Sequence, residues 1–96
     1  MPKGYIIARI QVTDPEAYAD YVKGATEAMR IYGGTPLVRG GQFETLEGEA
    51  RPHNVVIEFE SFEKAKTYYY SAEYQAAKAK RMGKAIADLV LVEGAA

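Results

Sequence analysis

Two arginines and a glutamate are the residues of this sequence that most clearly suggest chemistry. Arg9 lies in an alternating stretch near the start, Arg39 precedes a glycine pair, and Glu58 lies in an apolar run. Strand alternation predicts that the three side chains share one covered face of a sheet. Charges in such a place are costly unless they are paired or used. Two interpretations stay open: an ion network that fixes the register of a dimer, or a polar patch at the bottom of a ligand pocket.

Three residues are candidates for a proton acceptor: Glu58, His53 and Asp14. His53 is the single histidine of the chain and lies at the start of a predicted strand. Histidine titrates near neutral pH and can therefore act as a general base, although a solvent-exposed position at the strand end is the simpler interpretation. The sequence indicates no serine partner for His53, so a Ser/His/Asp hydrolase arrangement lacks support.

The chain has a high tyrosine content, with eight tyrosines among 96 residues. Helical spacing favours core packing for most of them, with hydroxyls that reach the surface; the alternative is an aromatic cavity. The tyrosines that could line such a cavity are Tyr5, Tyr18, Tyr21, Tyr32, Tyr68, Tyr69 and Tyr74. The predicted ligand contacts are Arg9, Arg39, Tyr18, Glu58, Tyr69 and Tyr74.

The composition disfavours several classes of protein. One histidine and no cysteine cannot supply the usual zinc or copper ligands, and the carboxylates lack calcium-loop spacing, so we predict no metal and no cofactor. A net charge of -1 without a basic run argues against nucleic acid. No apolar stretch approaches the roughly 20 residues of a membrane span. The sequence has no cysteine, and its first residues do not read as a signal peptide, so we expect a cytoplasmic protein.

The candidate residues are positioned by the elements of one predicted domain, residues 1–96. Residues 5–12 read as a strand. Thr13 or Asp14 is expected to cap a following helix, with Glu16 completing a capping box with Thr13, and a pair of glycines ends it. The later predicted elements are strands at 35–39 and 42–47 around the Gly40-Gly41 turn, a strand at 53–60, a helix from Ser61 that breaks at Ser71 and resumes over 72–82, and a strand at 88–93.

The element order β-α-β-β-α-β predicts an α+β ferredoxin-like domain with two helices on one face of an antiparallel sheet. The other face would carry apolar side chains, among them Ile7 and Val56, together with Leu and Val from the last strand. A second copy across a two-fold axis is the simplest cover for that face, which predicts a homodimer. A loop or the last strand folding back within the monomer is the less favoured alternative.

Six short motifs stand in order along nearly the whole chain. They are Gly4-Tyr5-Ile6-Ile7-Ala8-Arg9, Thr13-Asp14-Pro15-Glu16-Ala17-Tyr18, Tyr32-Gly33-Gly34, Leu37-Val38-Arg39-Gly40-Gly41, Val56-Ile57-Glu58-Phe59 and Ser71-Ala72-Glu73-Tyr74-Gln75. In this combination the chain resembles the domain of unknown function 1330 family. The recurrent polar and aromatic positions of that family are matched by Arg9, Asp14, Tyr18, Arg39, Gly40, Glu58, Ser71 and Tyr74.

The resemblance implies a small bacterial-type protein of the dimeric α+β barrel superfamily, in which two ferredoxin-like protomers pack their sheets together. The family has no established activity, and its superfamily includes cofactor-independent monooxygenases, haem-degrading enzymes, lactone isomerases and binding proteins, so the fold cannot choose a function. Neither predicted helix contains a histidine, which weakens the haem-degrading alternative. Tyr68, Ala72 and Pro36 depart from the residues common in the family, which leaves the shape of the cavity open.

Three functions follow as hypotheses. The first is a homodimer that binds a small anionic or aromatic metabolite between helices and sheet, with Arg9 or Arg39 as the anion contact. The second is a cofactor-independent monooxygenase or isomerase that uses one of the three proton acceptors. The third is a structural dimer that holds no ligand. The sequence leaves open whether the protein is an enzyme.

Overall fold

The computed structural model describes residues 2–95 as a four-stranded antiparallel sheet with three helices. The strand order is β2-β3-β1-β4, and β1 runs antiparallel to both of its neighbours. This is the predicted α+β ferredoxin-like fold. The elements are β1 (Gly4–Val12), α1 (Pro15–Tyr32), β2 (Thr35–Arg39), β3 (His53–Phe59), α2 (Phe62–Tyr70), α3 (Ala72–Arg81) and β4 (Ala85–Glu93).

Helix α1 begins after Asp14, whose carboxylate accepts a hydrogen bond from the Ala17 N–H at 3.2 Å. Asp14 rather than Thr13 therefore takes the cap position, and the predicted capping box between Thr13 and Glu16 is wrong. The helix ends at Gly33, whose φ of 77° lies in the left-handed region that glycine adopts without strain. Within residues 2–95, no helix is both long and apolar enough to cross a membrane.

The second helical segment is divided in two at Ser71, as the sequence predicts. The Ser71 hydroxyl donates to the Tyr68 carbonyl at 2.7 Å and accepts from the Tyr74 N–H at 3.1 Å. One serine thus ends α2 and caps α3. Helix α2 lies on the sheet, whereas α3 packs along α1, so the two halves of the predicted second helix have different neighbours.

The connection between β2 and β3 differs from the prediction. Residues 42–47 form no strand, and residues 41–49 are exposed throughout. Leu46 is 83% exposed, so its apolar side chain finds no neighbouring strand to pack against. Arg9 holds this loop to the sheet by donating to the Glu49 carbonyl at 3.0 Å. The fifth predicted strand starts earlier than expected, at Ala85.

The helix-facing side of the sheet forms the core, as strand alternation predicts. Ile6, Ala8 and Ile10 of β1 are at most 5% exposed. Phe59 of β3 is 1% exposed and stacks on Tyr68 of α2 with ring centroids 5.0 Å apart. Burying large aromatic side chains of this kind supplies most of the stability of a small domain.

The other side of the sheet, called the open face below, carries an aliphatic row that crosses all four strands. Val38 pairs with Val56, Val56 with Ile7, and Ile7 with Val90. Val90 and Val38 are 53% and 40% exposed. The apolar face that the sequence predicts is therefore present, and no described part of this chain covers it fully.

Candidate functional site

A cleft lies between helix α1 and the helix-facing side of the sheet. Its volume is about 80 Å³. Side chains of β1 and β3 line one side of the cleft and side chains of α1 line the opposite side, while α2 and α3 each contribute a tyrosine. The lining residues are Ile6, Ala8, Ile10, Tyr18, Tyr21, Val22, Ala25, Thr26, Met29, Pro36, Arg39, His53, Val55, Ile57, Tyr68, Tyr74 and Leu89.

Arg39, His53 and Tyr18 form the solvent-facing mouth of the cleft. Arg39 is exposed, and the other two are half-buried. The His53 ring meets the Tyr18 ring edge-on, with centroids 6.1 Å apart. A Cβ at Gly40 would lie 3.0 Å from two atoms of the His53 ring, so glycine at this position leaves room for the imidazole.

The inner end of the cleft is a cluster of buried tyrosines. The hydroxyl oxygens of Tyr21 and Tyr74 lie 2.9 Å apart, and their rings meet edge-on at 6.1 Å. Tyr68 stacks on Tyr74 at 5.0 Å and donates to the Ala25 carbonyl at 3.4 Å. Hydrogen bonds between these hydroxyls offset the cost of burying them.

Burial also fixes the protonation of these hydroxyls. Desolvation raises the pKa of Tyr21, and the neighbouring Tyr74 raises it further. Burial likewise raises the pKa of Tyr68 and of Tyr18. The three phenols are therefore neutral at physiological pH, so each can donate a hydrogen bond to a ligand.

Arg81 lies behind the tyrosines and was missed by the sequence analysis. It is 6% exposed, and its guanidinium carbon lies 5.1 Å from the centre of the Tyr21 ring. Its Nε has no hydrogen-bond partner among the described residues, and an unsatisfied buried donor costs about 1–3 kcal/mol. The spacing of Tyr74, Ala77 and Arg81 on α3 is helical, which places all three on the buried face. That spacing is visible in the sequence and could have identified Arg81 as a buried residue.

The structure separates the predicted constellation of Arg9, Arg39 and Glu58. Arg39 pairs with Val55, so its side chain lies on the helix side and lines the cleft. A register shift between Pro36 and Val38 changes the alternation of β2, which is why strand parity gave the wrong face for Arg39.

Arg9 and Glu58 lie on the open face, away from the cleft. Glu58 accepts a hydrogen bond from the Tyr5 hydroxyl at 3.0 Å, whereas Arg9 binds the loop carbonyl of Glu49. The hydrogen bond to Glu58 raises the pKa of Tyr5. Within the described chain, neither charge takes part in an arginine–glutamate ion pair.

Two further predicted site residues have structural contacts elsewhere. Asp14 caps α1 and does not line the cleft. The Tyr69 hydroxyl accepts a hydrogen bond from Lys78 at 3.0 Å, and Tyr69 lines a second groove beside β4. The predicted ligand contacts and proton acceptors that meet in the cleft are Tyr18, Arg39, His53 and Tyr74. Two other tyrosines named for an aromatic cavity, Tyr21 and Tyr68, also line it.

Fold and cleft together define an α+β ferredoxin-like domain with a tyrosine-lined cleft under its first helix. The model of the domain of unknown function family DUF1330 matches residues 3–95, so the chain belongs to this family. The family resemblance inferred from the motifs is therefore confirmed. No curated protein matches the chain.

Solved structures support the fold. The chain is similar to a protein of unknown function from Rhodopseudomonas palustris, with 17% identity and a TM-score of 0.76 over 99% of this chain and 84% of that one. A second similar structure is a protein from Caulobacter crescentus CB15, named as a candidate antibiotic biosynthesis monooxygenase. It has 15% identity and a TM-score of 0.63 over 99% of this chain and 92% of that one. A third is a protein of unknown function from Bacteroides fragilis, described as dimeric and ferredoxin-like. It has 16% identity and a TM-score of 0.56 over 95% of each chain.

Proposed function

We propose that this protein is a homodimer that binds a small anionic or aromatic metabolite in the cleft of each protomer. The observation that carries the proposal is the cleft itself: Arg39 and His53 lie at its mouth, tyrosine hydroxyls line its interior, and Arg81 lies behind them. Apolar walls with a few convergent polar groups are typical of small-molecule sites.

The charges around the cleft favour an anion. None of the described residues that line it is acidic, whereas Arg39 lines it directly. Within residues 2–95, Arg81 forms no ion pair with a carboxylate. The fixed charge that lines the cleft is therefore positive, and a ligand with negative charge gains most from it.

The volume limits the size of the ligand. A cleft of about 80 Å³ is smaller than the roughly 300–1,000 Å³ of sites for drug-sized molecules. It has room for a short acid, or for the acidic end of a longer molecule that extends through the mouth. An aromatic ligand requires the mouth to widen, which the exposed side chain of Arg39 permits.

The open face supports the homodimer. Its aliphatic row of Val38, Val56, Ile7 and Val90 needs a cover. Four strands about 4.8 Å apart, with 5 residues in β2, 7 in β3 and 9 in each of β1 and β4, give a face of roughly 500 Å², which is more than half of the roughly 800 Å² that each partner buries in a standard interface. An identical sheet supplies a matching aliphatic row.

An enzyme is the second candidate, and the position of His53 favours it. A cofactor-independent monooxygenase or isomerase needs a proton acceptor beside the substrate, and His53 is the proposed acceptor that lines the cleft. Conversion of a bound metabolite, followed by mass spectrometry and lost in His53→Ala, would favour this candidate over simple binding.

A thermal-shift screen of metabolite anions tests the binding proposal. We expect a ligand at about 100 times its Kd to stabilise the protein by about 2.7 kcal/mol, or roughly 10–20 °C in Tm. Arg39→Ala should reduce that shift, because it removes the positive charge at the mouth of the cleft. Arg9→Ala is the matched control and should retain the shift, since Arg9 lies on the open face.

Two results of this screen would contradict the proposal. A ligand whose stabilisation depends on Arg9 and not on Arg39 would place the site on the open face. No stabilising ligand in a broad panel would favour the third hypothesis, a structural dimer without a ligand.

A further inference from the structure

Arg81 is a buried charge with few polar partners among the described residues. It is the last residue of α3, where the carbonyl ends of the helix offset part of its charge. Among residues 2–95, no carboxylate oxygen comes within 4.0 Å of its guanidinium. Its polar contact is an Nη2 that lies 3.5 Å from the Tyr74 hydroxyl. A buried guanidinium normally has more partners than this.

The two tyrosines beside Arg81 form a directed chain of hydroxyls. A guanidinium can only donate, so the Tyr74 oxygen accepts from Arg81. We assign the hydrogen of Tyr74 to the Tyr21 oxygen, 2.9 Å away, because this orientation points the hydrogen away from the cation. Each hydroxyl has one hydrogen, which leaves that of Tyr21 free to donate. The cation polarises this chain, which strengthens the last donor.

We propose that Tyr21 is the inner hydrogen-bond donor of the cleft and binds the oxygen of a small carboxylate, held in that role by Arg81 through Tyr74. The inference rests on the proposed function, because it takes the cleft to be the binding site. It goes further by assigning the carboxylate to the inner end of the cleft and a positioning role to Arg81. Arg39 and His53 then contact the rest of the molecule at the mouth.

Protonation and charge both fit this assignment. Burial raises the pKa of Tyr21, so its hydroxyl stays protonated and can donate to an anion, which a phenolate would repel. A carboxylate at the inner end also supplies the negative charge that Arg81 lacks within residues 2–95. Electrostatic attraction between such a carboxylate and Arg81 is stronger in a partly buried site than in water.

Propionate is a suitable probe, since its short chain suits a cleft of about 80 Å³. We would titrate sodium propionate into the ¹⁵N-labelled full chain and follow the amide resonances of Tyr18, Tyr21, Thr26 and His53. Propionamide is the neutral control of the same shape, and sodium chloride controls for ionic strength. We expect saturable shifts with propionate and binding about ten-fold weaker with propionamide.

Tyrosine variants test the donor. Tyr21→Phe removes one oxygen and should weaken propionate binding about ten-fold. Tyr70→Phe is the matched control, because Tyr70 is 67% exposed and lies outside the cleft, and it should bind as the wild type does. Circular dichroism of both variants establishes that they remain folded.

Arginine variants test the positioning role. Arg81→Met removes the charge and keeps much of the side-chain volume, so it should weaken binding about ten-fold or more although every tyrosine is present. Arg81→Lys restores a positive charge and should recover part of that loss. A residue that only fills space would give equal effects in the two variants.

The outcomes separate the two proposals. If propionate shifts the cleft amides but Tyr21→Phe binds it equally well, the inner donor is wrong and the proposed function stands. If propionate does not bind and the thermal-shift screen finds another class of ligand in the cleft, the carboxylate assignment alone is wrong. If neither experiment finds a ligand in the cleft, both proposals fail.

Discussion

Val90→Glu is expected to convert the protein from a dimer to a monomer. Val90 is 53% exposed in the protomer, so the glutamate leaves the fold of a single chain intact. In the proposed dimer the same position is buried in the aliphatic row beside Ile7. An unpaired buried charge costs about 3 kcal/mol or more, which weakens association roughly 100-fold or more.

Sedimentation velocity at micromolar concentration measures this change, with Ile31→Glu as the matched control. Ile31 is 48% exposed and lies on α1, on the helix side of the molecule, so its replacement should leave the dimer unchanged. A wild-type protein that sediments as one chain would contradict the proposed dimer. A dimeric Val90→Glu variant would show that the interface lies elsewhere.

Gly4→Ala is expected to cause a large loss of stability, although it adds only one methyl group. Gly4 is where β1 passes the start of α2 in close contact. A Cβ at Gly4 would lie 2.6 Å from the Ser61 carbonyl carbon and 2.7 Å from the Phe62 Cα. Both are backbone atoms that cannot move aside as a side chain does, so we expect a loss of about 3 kcal/mol in the free energy of unfolding.

Gly48→Ala is the control for Gly4→Ala, and urea denaturation at one protein concentration compares them. Gly48 has a φ of 73° and no atom within 4 Å of an added Cβ. Its replacement should cost about 1–2 kcal/mol from backbone strain alone. If Gly4→Ala loses no more stability than Gly48→Ala, the close packing of β1 on α2 is wrong.

Local signals in the sequence predicted most of the fold. Alternation placed Ile6, Ala8 and Ile10 in the core, and the hydroxyl of Ser71 marked the break between α2 and α3. The prediction of a strand at residues 42–47 was wrong, because alternating apolar side chains are buried only where a neighbouring strand is present. Leu46 is exposed for this reason. The close approach at Gly4 depends on a distant loop, which no local pattern reveals.

The site was only partly predictable from the sequence. Tyr18, Tyr74 and His53 reach the cleft from positions that the sequence had already singled out. Arg39 was assigned to the wrong face, because a one-residue register shift in β2 cannot be read from alternation. Arg81 was overlooked among the exposed basic residues of α3, although its helical spacing from Tyr74 was visible.

A crystal structure of the protein with the most stabilising metabolite of the thermal-shift screen would show directly where the ligand binds. We predict that the molecule lies under α1, with its acidic group near the Tyr21 and Tyr74 hydroxyls and its other end near Arg39. A molecule bound on the open face beside Arg9 and Glu58, with the cleft empty, would show that the cleft is not the binding site.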